Sequence, residues 1–280
     1  MRKIDVKEIE NAVRDLCIKA NLYLGEDVMN AFEAAEKKET SPIGKEIIKI
    51  LIKNAEIAKN EEMPICQDTG MAIFFVEVGQ AVQLVGGSIT EAINEGVRRG
   101  YKDGYLRKSV VKDPLIRENT KDNTPAIIYY DIVPGENVKI TFAPKGFGSE
   151  NMSRTKMLKP SDGVKGVIDF VTNTVMDAGP NPCPPIVVGV GIGGTIDKAA
   201  VLAKKALTRP IGSYNEKEHL RDIEKILLKK INNLGIGPQG LGGNTTALAV
   251  HVESYPTHIA GLPVAVNINC HAARHEEIII

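Results

Sequence analysis

Ala126-Ile127-Ile128-Tyr129-Tyr130-Asp131-Ile132-Val133 is followed by Pro134-Gly135-Glu136-Asn137 and then by Val138-Lys139-Ile140-Thr141-Phe142-Ala143. Two runs of strand length, rich in β-branched and aromatic residues, flank a turn signal, a pattern that predicts a β-hairpin. A hairpin implies antiparallel pairing and argues against a regular alternation of parallel strands and helices. Upstream, Ala72 to Val78 is an apolar, aromatic-rich run of strand length, and Thr90 is placed to cap a helix through Ala92, Ile93 and Val97. The first sixty residues read as helices. Ile9, Val13, Leu16 and Cys17 recur at helical spacing, which puts Cys17 on a buried stripe, and Ser41-Pro42 opens a helix to about Asn60. Downstream, a helix is expected from Ser161-Asp162, a buried strand from Ile186 to Val190 and a helix from Ile196 to Leu207. Asn215 with Glu218 fits the cap of a helix ending near Asn233, and strands are expected at Ala247–Val252 and Leu262–Ile268, just before Cys270. The expected fold is α+β: a helical N-terminal lobe (1–60) followed by a mixed, largely antiparallel β-sheet core with flanking helices (61–280), as a single domain.

Composition bounds the function. Of 280 residues, 43% are hydrophobic and 25% charged, and 35 basic residues balance 35 acidic ones, so bulk attraction to nucleic acid is not expected. No apolar run approaches the roughly 20 residues that span a bilayer. Met1-Arg2-Lys3-Ile4-Asp5 does not resemble the start of a secretory signal, so a cytoplasmic location is expected, with Cys17, Cys66, Cys183 and Cys270 as reduced thiols.

Three of the four cysteines have unusual neighbours: Pro64-Ile65-Cys66-Gln67-Asp68-Thr69-Gly70, Asn181-Pro182-Cys183-Pro184-Pro185 and Asn269-Cys270-His271-Ala272-Ala273-Arg274. Each lies beside turn signals, where a thiolate can project into a pocket. Separations of 117 and 87 residues fit neither zinc-finger nor ferredoxin spacing. Spacing alone therefore leaves two readings, unrelated structural cysteines or a three-thiolate site. Gly189-Val190-Gly191-Ile192-Gly193-Gly194 satisfies a dinucleotide fingerprint, but no acidic strand end follows about 20 residues on. A tight strand-to-helix turn is the better reading. His271 and His275 have zinc-like spacing without a third matched ligand, and Lys225, Lys229 and Lys230 read as an exposed helix face.

The segments PICQDTG, KGFGSEN, NPCPP, GVGIGGT, LGGNTTALAV and LPVAVNINCHAAR, in this order, resemble the iron–sulfur half of class I fumarases and the related L-tartrate dehydratases. The resemblance implies a [4Fe–4S] cluster held by Cys66, Cys183 and Cys270, with one iron open as a Lewis acid. It implies substrate contacts from Gln67, Asp68, Arg107, Gly146, Gly148 and His258, with Asp68 and His258 catalytic and Asp68 in proton transfer. Lys145 and Arg274 are further candidate cations. In the fused class I enzymes a C-terminal domain adds arginines, a lysine and a threonine proposed as base. Nothing here resembles that domain, so a separate β subunit is expected to complete the site, in a heterodimer or heterotetramer. The implied activity is reversible hydration of fumarate to (S)-malate, a tricarboxylic acid cycle step, with L-tartrate dehydration as the alternative. A non-catalytic cluster- or zinc-binding protein is the reading from another class.

Overall fold

The computed structural model describes all 280 residues. Along the chain run β1 (Arg2–Asp5), α1 (Val6–Leu22), α2 (Glu26–Lys38), α3 (Pro42–Asn60), β2 (Met71–Gly79), β3 (Val82–Val85), α4 (Ile89–Asp103), β4 (Ile127–Val133), β5 (Val138–Lys145), α5 (Phe147–Glu150), β6 (Arg154–Leu158), α6 (Gly163–Ala178), β7 (Ile186–Gly193), α7 (Ile196–Ala206), α8 (Glu218–Asn232), β8 (Ala247–Tyr255), β9 (Leu262–Asn269) and β10 (Glu276–Ile279). The helical N-terminal region and the mixed sheet core with flanking helices are those expected. No helix is long and apolar enough to cross a membrane.

The chain divides into two compact units. Unit 1 comprises Met1–Leu24, Ala55–Gly146 and Arg274–Ile280; unit 2 comprises Gly25–Asn54 and Phe147–Ala273. In unit 1 the four-stranded sheet has the order β10-β5-β2-β4, and β1 pairs with β3 in a separate ladder. Ala72, Phe74 and Val76 of β2 alternate onto one face with Val138, Ile140 and Phe142 of β5, and pack against Ile9, Val13 and Cys17 of α1 and Ile93, Val97 and Tyr101 of α4. Cys17 is fully buried, and burial pushes its thiol far above the usual range, so it stays protonated.

The expected hairpin is not formed. β2 lies between its two arms, pairing parallel with β4 and antiparallel with β5. The Pro134–Asn137 turn instead arches over the end of β2: the Gly79 and Ala81 N–H groups donate to the Asn137 and Gly135 carbonyls, both at 2.9 Å. A side chain on Gly79 would meet the Gly135 oxygen at 2.6 Å, so the arch needs glycine beneath it. Local pattern specifies two strands and a turn; the buried run of β2 decides what fills the space between them.

In unit 2 the sheet order is β6-β9-β7-β8, with β7 parallel to β8 and antiparallel to β9. Val188, Val190, Val250, Val252, Val264 and Val266 form one core face, covered by Val171 and Val175 of α6 and Ile223 and Leu227 of α8. The other face takes α7 through Ala199 and Ala203. The glycine run in β7 is explained by this contact. A Cβ on Gly189 or Gly191 would lie 2.1 Å from the Ala203 oxygen or 2.0 Å from the Ala199 oxygen, so these glycines admit the helix backbone rather than a nucleotide.

Smaller boundary differences share one cause: a polar residue can serve the loop rather than the cap. Ser88, not Thr90, caps α4, accepting the Glu91 N–H. Asn215 turns its side chain to Lys217 N–H and the Val252 carbonyl, leaving Lys217 as the α8 cap residue.

Candidate active site

In unit 1 the Cys66–Gly70 loop enters β2, and buried side chains from elsewhere in the unit hold it. Tyr101, fully buried, donates its hydroxyl to the Thr69 and Gly70 carbonyls at 2.9 and 3.1 Å. Burial raises its hydroxyl pKa well above the usual range, so it remains a donor. Asn123, also fully buried, donates to the Gly70 carbonyl at 3.1 Å and accepts the Ser109 N–H at 2.7 Å. The Arg274 guanidinium donates to the Asp68 carbonyl at 2.7 Å. Gly70, at φ +74, packs its backbone directly on Lys145, where a Cβ would come within 2.6 Å of the carbonyl carbon. Lys145 is itself buried and donates to the Gly146 carbonyl at 3.3 Å.

These contacts fix the Asp68 side chain and the backbone of Arg107. Asp68 accepts the Gly70 N–H on Oδ1 at 3.0 Å, which orients its carboxylate. Its Oδ2 lies 3.1 Å from where a Cβ of Gly146 would sit, so only glycine leaves the space beside that oxygen open. Thr69 joins the loop to Arg107: the Arg107 N–H donates to Thr69 Oγ1 at 3.0 Å, and the Thr69 hydroxyl donates to the Arg107 carbonyl at 3.2 Å. Arg107 and Gln67 are exposed. The structure therefore brings Gln67, Asp68, Arg107 and Gly146 together on one unit, presenting carboxylate, guanidinium and amide groups.

In unit 2, Cys183 is exposed, at φ +54, between Pro182 and Pro184. Its carbonyl accepts the His271 N–H at 3.1 Å, which sets the Cys183 and Cys270 loops side by side. Gln239, at φ +51, donates to the Pro184 carbonyl from both its backbone (2.7 Å) and its side chain (2.8 Å). Gly148 lies in the short α5 helix, and the nearest atom to a Cβ there is the Asn181 carbonyl at 3.9 Å. His258 lies elsewhere in unit 2. It is exposed in the β8–β9 turn, beside the Gly194–Lys198 turn, with Nδ1 accepting the Ala260 N–H. The eight residues of β9 separate it from Cys270, about 25 Å at ordinary strand rise.

The structure does not bear out the [4Fe–4S] cluster expected on Cys66, Cys183 and Cys270: nowhere does it gather three or more His, Cys, Asp or Glu side chains that could hold a metal ion. Cys66 belongs to unit 1, where its sulfur accepts the Asp68 N–H at 3.4 Å; Cys183 and Cys270 belong to unit 2. Turn signals beside each cysteine place it on a loop but do not by themselves build a metal-binding set of side chains.

Sequence reasoning missed Thr69, Tyr101 and Asn123; Lys145 and Arg274, its further candidate cations, also donate to backbone carbonyls of this loop region. Tyr101 reads as one more apolar residue on the α4 stripe. Asn123 carries a faint signal, lying in the Asp122-Asn123-Thr124-Pro125 turn at φ +64.

Residues 10–279 match the family model described as Fumarate hydratase (Fumerase), and the chain belongs to that family. Among its relatives, a provisionally named L(+)-tartrate dehydratase subunit alpha of Methanocaldococcus jannaschii is 48% identical over 275 residues, 95% of each chain. The L(+)-tartrate dehydratase subunit alpha of Escherichia coli O157:H7 is 34% identical, covering 98% of this chain and 91% of its own. That of Escherichia coli K12 is 33% identical with the same coverage.

Proposed function

We propose that this chain is the α subunit of a hydro-lyase that dehydrates L(+)-tartrate, active with a β subunit. The choice of tartrate over fumarate rests on the end-to-end similarity to relatives named L(+)-tartrate dehydratase subunit alpha, one of them at 48% identity. The description of the family model favours the second reading, fumarate hydration.

Dehydrating a 2,3-dihydroxy diacid removes a proton from a carbon beside one carboxylate and a hydroxyl from the neighbouring carbon, releasing water and an enol that tautomerises to a 2-oxo acid. The C–H is weakly acidic, so the site must stabilise the negative charge that develops as the proton leaves. Arg107 suits a substrate carboxylate, which it can grip with two parallel N–H donors. Asp68 suits proton transfer at Oδ2, beside Gly146, while Gly70 holds Oδ1 and so fixes the direction of the second oxygen. Gln67 suits a substrate hydroxyl, to which its amide can both donate and accept. One arginine cannot clamp both carboxylates of a diacid, so the β subunit must add cations, and the name "subunit alpha" among the relatives supports such a partner.

Co-expression with the candidate β subunit, followed by assays on both tartrate enantiomers, fumarate and malate, tests the reading. The expected result is the highest kcat/KM on L(+)-tartrate and no turnover by this chain alone. Preference for fumarate, or full activity without a partner, would overturn it.

A further inference from the structure

Val110 to Thr120 forms a finger in unit 1 whose tip carries Leu115 and Ile116, 90% and 81% exposed. Single exposed apolar side chains are ordinary, but two adjacent ones at the tip of a rigid loop are not. The finger is hydrogen-bonded along its length. Val111 and Asn119 pair as an antiparallel bridge, the Lys112 N–H donates to the Glu118 carbonyl at 2.7 Å, and their side chains form an ion pair at 2.5 Å. At the tip, Asp113 Oδ1 accepts the N–H groups of both Leu115 and Ile116 at 2.8 Å, and the Arg117 N–H donates to the Asp113 carbonyl at 2.9 Å. Arg117 is held at φ +61, a strained conformation for a residue with a side chain, which the surrounding bonds maintain.

The base of the finger is tied to the candidate site. Asn119 donates to the Lys108 carbonyl at 2.9 Å, next to Arg107, and Asn123 bridges Ser109 to the Gly70 carbonyl. A body seated on Leu115 and Ile116 would therefore be positioned against the segment that carries Arg107.

We infer that this finger docks the β subunit, with Leu115 and Ile116 entering an apolar socket on that partner. The inference rests on the proposed function, which requires a second subunit to supply cations beside Arg107. A preformed finger loses little freedom on binding, so burial of its two apolar side chains goes largely into affinity.

The test is the double variant Leu115→Asp/Ile116→Asp in the full chain, titrated with the candidate β subunit. The isolated variant should keep the wild-type unfolding temperature, because neither side chain packs on the rest of the chain. Its apparent Kd for the β subunit should rise about tenfold or more, with L(+)-tartrate turnover recovered at saturating β subunit. Leu115→Met should bind as wild type. Unchanged β-subunit affinity in an active enzyme would overturn the docking role and leave the proposed function standing. Failure of the wild-type chain to form a complex or to dehydrate tartrate at any β-subunit concentration would overturn both. Loss of self-association with unchanged β-subunit affinity would assign the finger to a second copy of this chain and overturn the inference.

Discussion

The loop before β2 and the loop before β7 both carry a cysteine into a turn, but they are held by opposite means. Around Asp68 the chain is pinned from a distance: Tyr101, Asn123 and Arg274 lie 31 to 206 residues away, and all three are buried. Around Cys183 the stiffness is mostly local, from Pro182, Pro184 and Pro185, with Gln239 and His271 as the tertiary anchors. Under the proposed function the Asp68 loop must aim its acid at a reacting carbon within fractions of an ångström, and it gains from distant, buried anchors. A loop that only has to keep its shape can rely on proline, which restricts the unfolded chain as well.

The comparison is tested most severely at Asp68. Asp68→Asn keeps an acceptor for the Gly70 N–H but cannot carry the proton, so kcat on L(+)-tartrate should fall by about 100-fold or more while the unfolding midpoint hardly moves. Equal loss of stability would make Asp68 a structural residue and erase the contrast.

Next is Glu39, which brings a charged, distant anchor into unit 2. It is 1% exposed, and its carboxylate accepts N–H groups from Thr40, Ser41, Asn244 and Thr245. Burial pushes its pKa up, but the N–H groups of Asn244, Ser41 and Thr245 more than offset this and hold it below the usual glutamate value. A lowered folded pKa means that the stabilisation is full above the ordinary glutamate range and is lost as pH falls through the folded value. Glu39→Gln should therefore cost roughly 2–3 kcal/mol at neutral pH. In denaturant unfolding, the gap to wild type should close progressively in acid.

Tyr101→Phe should destabilise by about 1–2 kcal/mol, because it leaves the Thr69 and Gly70 carbonyls without this donor. It should also lower turnover several-fold through a loosened Asp68. Smallest is Gln239→Ala, at about 1 kcal/mol or less, since the prolines around Cys183 remain. A larger loss for Gln239→Ala than for Tyr101→Phe, measured in the same urea series, would reverse the comparison.

How far the sequence could be read follows the same division between local and distant. Ile9, Val13 and Leu16 announce α1, Ser41-Pro42 opens α3, and the valines of β7 and β9 mark buried strands, because each depends on periodicity within one segment. The β4–β5 hairpin failed because its middle is filled by β2, about fifty residues upstream by chain position. The same limit applies to the cluster: each cysteine loop was legible as a loop, but a set of metal ligands depends on tertiary geometry. Asp68 and Arg107 became candidates through resemblance, whereas Tyr101 and Asn123, which hold their segments, look like ordinary core and turn residues until the fold is seen.

Glu39 also sets a timetable. Its bonds to Asn244 and Thr245 close a span of 205 residues or more, so the entropy of ring closure must be overcome before any of them can form. Contacts of such separation belong to the end of folding. Replacing Glu39 should hardly slow refolding and should instead accelerate unfolding, making this one carboxylate a latch on the lifetime of the native state.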